Sequence, residues 1–99
     1  MDIDILASRL DALGNPTRLQ VFRALVRAGL KGLPVGALQD RLGIAPSTLS
    51  HHLGLLVRVG LVRQVRQGTT LQCHADYLTM TGIVTALQAE CCAEDGPGQ

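Results

Sequence analysis

The sequence predicts a mainly α-helical fold with one small β-hairpin, in the order α-α-α-α-β-β-α. Three observations point there. Apolar residues make up 46% of the chain and aromatics only 2%, with one Phe, one Tyr and no Trp. That composition suits helices packed through Leu, Val and Ala. Most of the apolar residues recur every three or four positions, the helical period. The exception is "LVRQVRQGTTLQCHA" at 61–75, where two short runs flank a glycine, as in a hairpin.

The 99 residues make one domain. It is predicted over 1–92, with 93–99 as a flexible tail. A chain this short buries a modest core, which favours an oligomer. Ile3, Leu6, Leu10 and Leu13 define the first helix, and Gly14 ends it. In "GNPTRLQVFRALVRAG", Asn15 is an N-cap, Pro16 suits the first helical position and Gly29 is the stop. Leu19, Phe22, Leu25 and Val26 form the apolar face. "KGLPVGALQDRLG" reads as a loop and then a short helix at about 35–42, with Val35, Leu38 and Leu42 inward. Gly43 closes it and Pro46 opens another helix. Two short helices joined by a tight glycine turn form a helix-turn-helix pattern.

In the second of these helices Leu49, Leu53 and Leu56 form the buried stripe, and Ser47, Ser50, His51, Gly54 and Arg58 lie opposite. Gly60 closes it. The hairpin is expected to turn at Gln67-Gly68, with Val62 facing Cys73 and Gln64 facing Leu71. The last helix is expected over about 76–92. There Tyr77, Met80, Val84, Leu87 and Cys91 form one continuous seam. "AEDGPGQ" at the end is acidic and rich in Gly and Pro.

Several function classes drop out. No apolar run approaches the roughly 20 residues of a membrane span. Asp2 and Asp4 occupy the place of a positive signal-peptide region, so a cytoplasmic protein is expected. No glycine-rich phosphate loop, paired carboxylates or nucleophile–base set marks an enzyme. The net charge of +1 hides an asymmetry. All nine Lys and Arg lie between Arg9 and Arg66, and that stretch holds only two acids, Asp11 and Asp40. A basic middle with acidic flanks fits an anionic partner such as nucleic acid.

The stretch from Ala45 to Thr70 explains how such a partner is read. A DNA major groove accepts one α-helix, read by side chains near its N-terminus. These must be short and able to hydrogen-bond, as Ser47, Thr48, Ser50 and His51 are. Arg58 extends the outward face. The hairpin adds Arg63, Arg66, Gln67 and Thr69, placed for the backbone or the minor groove. His52 borders the buried stripe and is expected to have a structural role. Neighbouring residues on a helix diverge by about 100°, so His51 and His52 do not form a metal site. A protein-interaction module without DNA binding is the competing class, which the charge pattern disfavours.

"LGNPTRLQVFRAL" at 13–25, "STLSHHLGLLVRVGLV" at 47–62 and "RQG" at 66–68 together resemble the ArsR/SmtB family of winged helix-turn-helix repressors. The resemblance spans nearly the whole chain. It implies a homodimer joined through the first and last helices, a palindromic double-stranded operator, and release of DNA when an inducer binds. It also directs attention to metal sites. "PVGALQDRL" lacks the cysteines of the family's arsenic cluster on the short helix, and "ADYLTM" offers Asp76 without the histidine of its zinc site. Some arsenic-responsive members carry a vicinal cysteine pair near the end of the last helix. Here Cys91 and Cys92 match that position, implying trivalent arsenic or antimony as inducer, with Cys73 as a possible third ligand.

The residues themselves leave three readings of the pair open. Three cysteines do not form a disulfide framework. The pair can be a soft-metal site, a redox group, or small buried apolar residues. Thiols of adjacent helical residues diverge, so a shared ligand requires the helix end to turn. Cys73 is expected in the core.

Overall fold

The computed structural model describes residues 1–96. Helix α1, Ile3–Leu13, starts at Asp2, whose carboxylate accepts hydrogen bonds from the Asp4 and Ile5 amides. Helix α2, Pro16–Ala28, starts as its sequence predicts: Asn15 Oδ1 accepts from the Arg18 amide at 2.9 Å. It buries Val21, Phe22, Ala24 and Leu25. Leu19, expected on the same face, is exposed. A 3-10 turn and a short strand, β1 (Leu33–Pro34), lead into α3, Val35–Leu42. Helix α4, Pro46–Arg58, follows the Gly43 turn. Strands β2 (Val62–Gln67) and β3 (Thr70–Ala75) form the hairpin, and α5 spans Tyr77–Gln88. Asp76 caps α5 by accepting from the Thr79 amide at 2.9 Å. The centre of the core is Val21, Leu25, Leu38, Leu49, Leu56, Leu61 and Val62. The α-α-α-α-β-β-α order and the winged helix-turn-helix architecture hold, with one strand added.

That strand is the first departure from expectation. Residues expected as loop pair with the hairpin: Leu33 opposes Cys73 and Pro34 opposes Gln72, giving sheet order β1-β3-β2. Two residues are too few to show an alternating pattern. Pro34 also fits, because proline is tolerated on an edge strand. The approach depends on Gly32, at φ 68°, where a side-chain carbon would collide with the Cys73 carbonyl and the His74 ring.

The hairpin register is the second. Val62 pairs with Ala75, Gln64 with Cys73 and Gln67 with Thr70, so the turn is Gly68-Thr69 rather than Gln67-Gly68. Gly68, at φ 64°, takes the first turn position, as in glycine-first hairpin turns. Each expected partner is displaced by two residues. Because side chains alternate with period two, every residue keeps its expected face. Cys73 is therefore buried as expected, with Gln64 beside it instead of Val62.

The third departure is the end of α5. The helix stops at Gln88, not near 92. Leu87, Glu90 and Cys91 are all exposed, so among the described residues little packs on that part of the seam to sustain the helix. Cys92 adopts a left-handed conformation, φ 60°, and a 3-10 turn follows at Ala93–Asp95. Residues 97–99 of the expected tail lie outside the described residues.

Candidate nucleic-acid interface

Helix α4 separates two faces. Leu49, His52, Leu53 and Leu56 are buried, while Ser47, Thr48, Ser50, His51 and Arg58 are exposed. The predicted reading set thus stands clear of the core. Ala45 at the N-cap supplies no side-chain hydrogen bond, which leaves the first-turn amides free to meet an anion.

The hairpin presents a second exposed group: Arg63, Arg66, Gln67 and Thr69. Its two cations differ. Arg63 Nε lies 3.7 Å from Asp76 Oδ2, the one ion pair among the described residues. The Asp76 carboxyl is held below the usual carboxylate range, chiefly by the Thr79 amide and in part by Arg63. Arg66 has no such partner among the described residues.

Arg18 ties α4 to the rest of the fold. Its Nε donates to the Ala12 carbonyl at 2.6 Å, and its Nη1 lies 3.4 Å from His52 Nδ1. One side chain thereby bridges the end of α1, the start of α2 and the middle of α4. Sequence reasoning assigned His52 correctly to structure but missed Arg18 as its partner. Helical spacing reports neighbours on one helix and carries no signal for a contact 34 residues apart.

The three thiols fall in two places. Cys91 and Cys92 are exposed, with their Sγ atoms 3.5 Å apart. The left-handed Cys92 supplies the turn that lets adjacent thiols converge. Cys73 is buried, 3.6 Å from Gln64 Nε2, and burial raises its thiol pKa. The 12 residues of α5, about 18 Å of helix, stand between Cys73 and the pair. Among the described residues no three His, Cys, Asp or Glu side chains gather into a metal site. One chain therefore does not bring Cys73 to Cys91 and Cys92.

Residues 13–65 match a family described as a helix-turn-helix domain. Nodulation protein NolR of Rhizobium meliloti is 37% identical over 86 residues, 87% of this chain and 68% of that protein. An ArsR-like transcriptional regulator from Rhodococcus sp. RHA1 has a similar structure, with a TM-score of 0.80 and 25% identity, over 93% of this chain and 84% of that one. The chain belongs to the ArsR family of helix-turn-helix transcriptional regulators. A homodimeric winged helix-turn-helix domain from Mycobacterium bovis gives a TM-score of 0.70 at 26% identity, over 98% of this chain and 89% of that one. The ArsR-family assignment makes the chain a transcriptional regulator with a winged helix-turn-helix DNA-binding domain, and its relatives are regulators rather than enzymes. No helix among the described residues is long and apolar enough to cross a membrane.

For this ArsR-family regulator, His52 adds a pH dependence. Burial, then Arg18, then His51 lower its pKa from the ordinary 6.5. As pH falls, the unfolded chain takes up this proton before the folded one does. The contribution of neutral His52 is complete above pH 6.5 and is lost as pH drops through the lower folded value. Urea melts between about pH 7.5 and pH 5 should show stability falling in that window. His52→Gln, with no imidazole to protonate, should remove the part of the slope that His52 causes. An unchanged slope would assign the acid sensitivity to another group.

Proposed function

We propose that the protein is a homodimeric repressor of a palindromic operator, released by a thiol-binding inducer at Cys91 and Cys92. Trivalent arsenic or antimony is the inducer that best fits the pair. The observation that carries the DNA part is the joint exposure of the α4 head and the wing cations on a buried Leu scaffold. The dimer part rests on apolar residues of α1 and α5 that the chain leaves uncovered, among them Ile3, Leu10, Val84 and Leu87.

The inducer part rests on the 3.5 Å sulfur separation. With metal–sulfur bonds of about 2.3 Å, that separation subtends an angle of about 100°. Two soft thiolates so placed suit a thiophilic centre. Closing them on an ion at the end of α5 would distort the adjoining dimer surface and change the spacing of the two reading helices. A redox switch at the same pair is the alternative. Adjacent Cα atoms stand about 3.8 Å apart, below the range of about 4.4–6.8 Å for relaxed disulfides, so oxidation there is strained.

The test is release of bound operator DNA titrated with arsenite, methylarsenite, antimonite, zinc and peroxide. Release by the trivalent species alone supports the reading; release by peroxide alone replaces it with the redox one. The division of labour on DNA has its own test. Arg66→Ala should weaken binding to every sequence and lower the salt slope by about one ion. His51→Ala or Ser50→Ala should alter preference among operator variants. A change of preference in Arg66→Ala at unchanged general affinity would reverse these roles.

A further inference from the structure

An open groove of about 350 Å³ runs between α2 and α3, lined by Gln20, Arg23, Ala24, Arg27, Arg41 and Leu42. No acid lines it. Arg23 and Arg27 are four residues apart on α2, so their side chains share one face, and like charges at that spacing destabilise a helix. Arg41 faces them from the last turn of α3. All three are exposed. The only ion pair among the described residues is elsewhere, between Arg63 and Asp76. None of the three belongs to the reading set on α4 or the wing. Three arginines line one groove that no carboxylate among the described residues lines, a charge pattern that attracts an anion.

We propose that this groove is a second phosphate-binding surface, which holds the backbone of duplex DNA flanking the bases read by α4. The inference rests on the DNA-binding reading above and extends its footprint. Continuity favours duplex DNA over a free anion. Leu42 lines the groove, Gly43 turns the chain, and α4 begins at Pro46 with its exposed head. The chain between the groove and that head, residues 43–45, carries no acid. Guanidinium is the side chain best shaped for phosphate oxygens, through paired N–H donors.

The test compares the full chain with an Arg23→Gln/Arg27→Gln/Arg41→Gln variant in salt titrations of DNA binding. Two duplexes are used, one limited to the operator half-sites and one lengthened at both ends. Each phosphate contact contributes about 0.9 to the salt slope, so three contacts contribute about 2.7 per protomer. Between 50 and 200 mM salt that is about a 40-fold difference per protomer. The expected result is this loss of slope on the long duplex, coincident slopes on the short one, and unchanged preference among operators. The variant should melt at or above the parent's temperature, because like-charge repulsion is relieved. Replacing all three by Lys should restore the slope. Coincident slopes on both duplexes would overturn the proposal, as would equal loss on both. Inorganic phosphate that binds the parent but not the variant, with no effect of duplex length, would mark a free-anion site and overturn the DNA assignment. A parent that binds no duplex at all would instead remove the DNA reading itself.

Discussion

Leu87→Asp is expected to yield a folded monomer that no longer retains operator DNA. Leu87 is 61% exposed and its seam neighbour Val84 50% exposed. Ile3 on α1 is 72% exposed. Met1, at the start of α1, reaches within 3.2 Å of the side-chain position of Gly82 on α5. The two terminal helices therefore present their uncovered apolar residues side by side. Burying a leucine stabilises by about 1.5–3 kcal/mol, and a twofold interface repeats each substitution. Loss of both leucines alone costs about 3–6 kcal/mol, or two to four decades in dimer Kd. A carboxylate forced into the seam costs more. The protomer itself should keep its helical content, since Leu87 contributes nothing to the core. Light scattering with DNA binding checks the result. An intact dimer would remove α5 from the interface.

The features legible in the sequence were those with a local physical cause. Asn15 and Pro16 fixed the start of α2, and Gly43 and Pro46 marked the joint of the helix-turn-helix. The Leu49–Leu53–Leu56 stripe orients α4, and its spacing alone places Ser47, Ser50 and His51 outward. The features that were not legible depend on partners distant in sequence. β1 exists because Leu33 finds Cys73. The Arg18–His52 contact joins two helices, and Arg63 is drawn to Asp76 at the start of α5. The hairpin register failed because two candidate turns share Gly68, and only backbone conformation separates them. The length of α5 failed for a different reason. The seam spacing continues to Cys91, but among the described residues Leu87 and Cys91 stay exposed.

Cys91→Ser and Cys92→Ser are each expected to abolish release by trivalent arsenicals while leaving operator binding intact, because both residues lie outside α4 and the wing. The turn at the end of α5 matters here. It brings the two sulfurs to 3.5 Å, so either thiol alone loses the chelating geometry. An arsenical that already carries one carbon substituent needs only two sulfurs, the number the proposed site would supply. Inorganic arsenite prefers three. Cys73 cannot supply the third from the same chain, because it is buried beside Gln64 and separated from the pair by the length of α5. Cys73→Ser should therefore respond to arsenite and methylarsenite alike. Its cost should appear in stability instead, at up to about 1–3 kcal/mol for burying a hydroxyl, less what a hydrogen bond from the Gln64 amide returns. Selective loss of the arsenite response in Cys73→Ser would make it a ligand after all and would require a different arrangement of α5. Full release by arsenite in the Cys91→Ser/Cys92→Ser double variant would eliminate the vicinal-thiol site and move the inducer elsewhere on the protein.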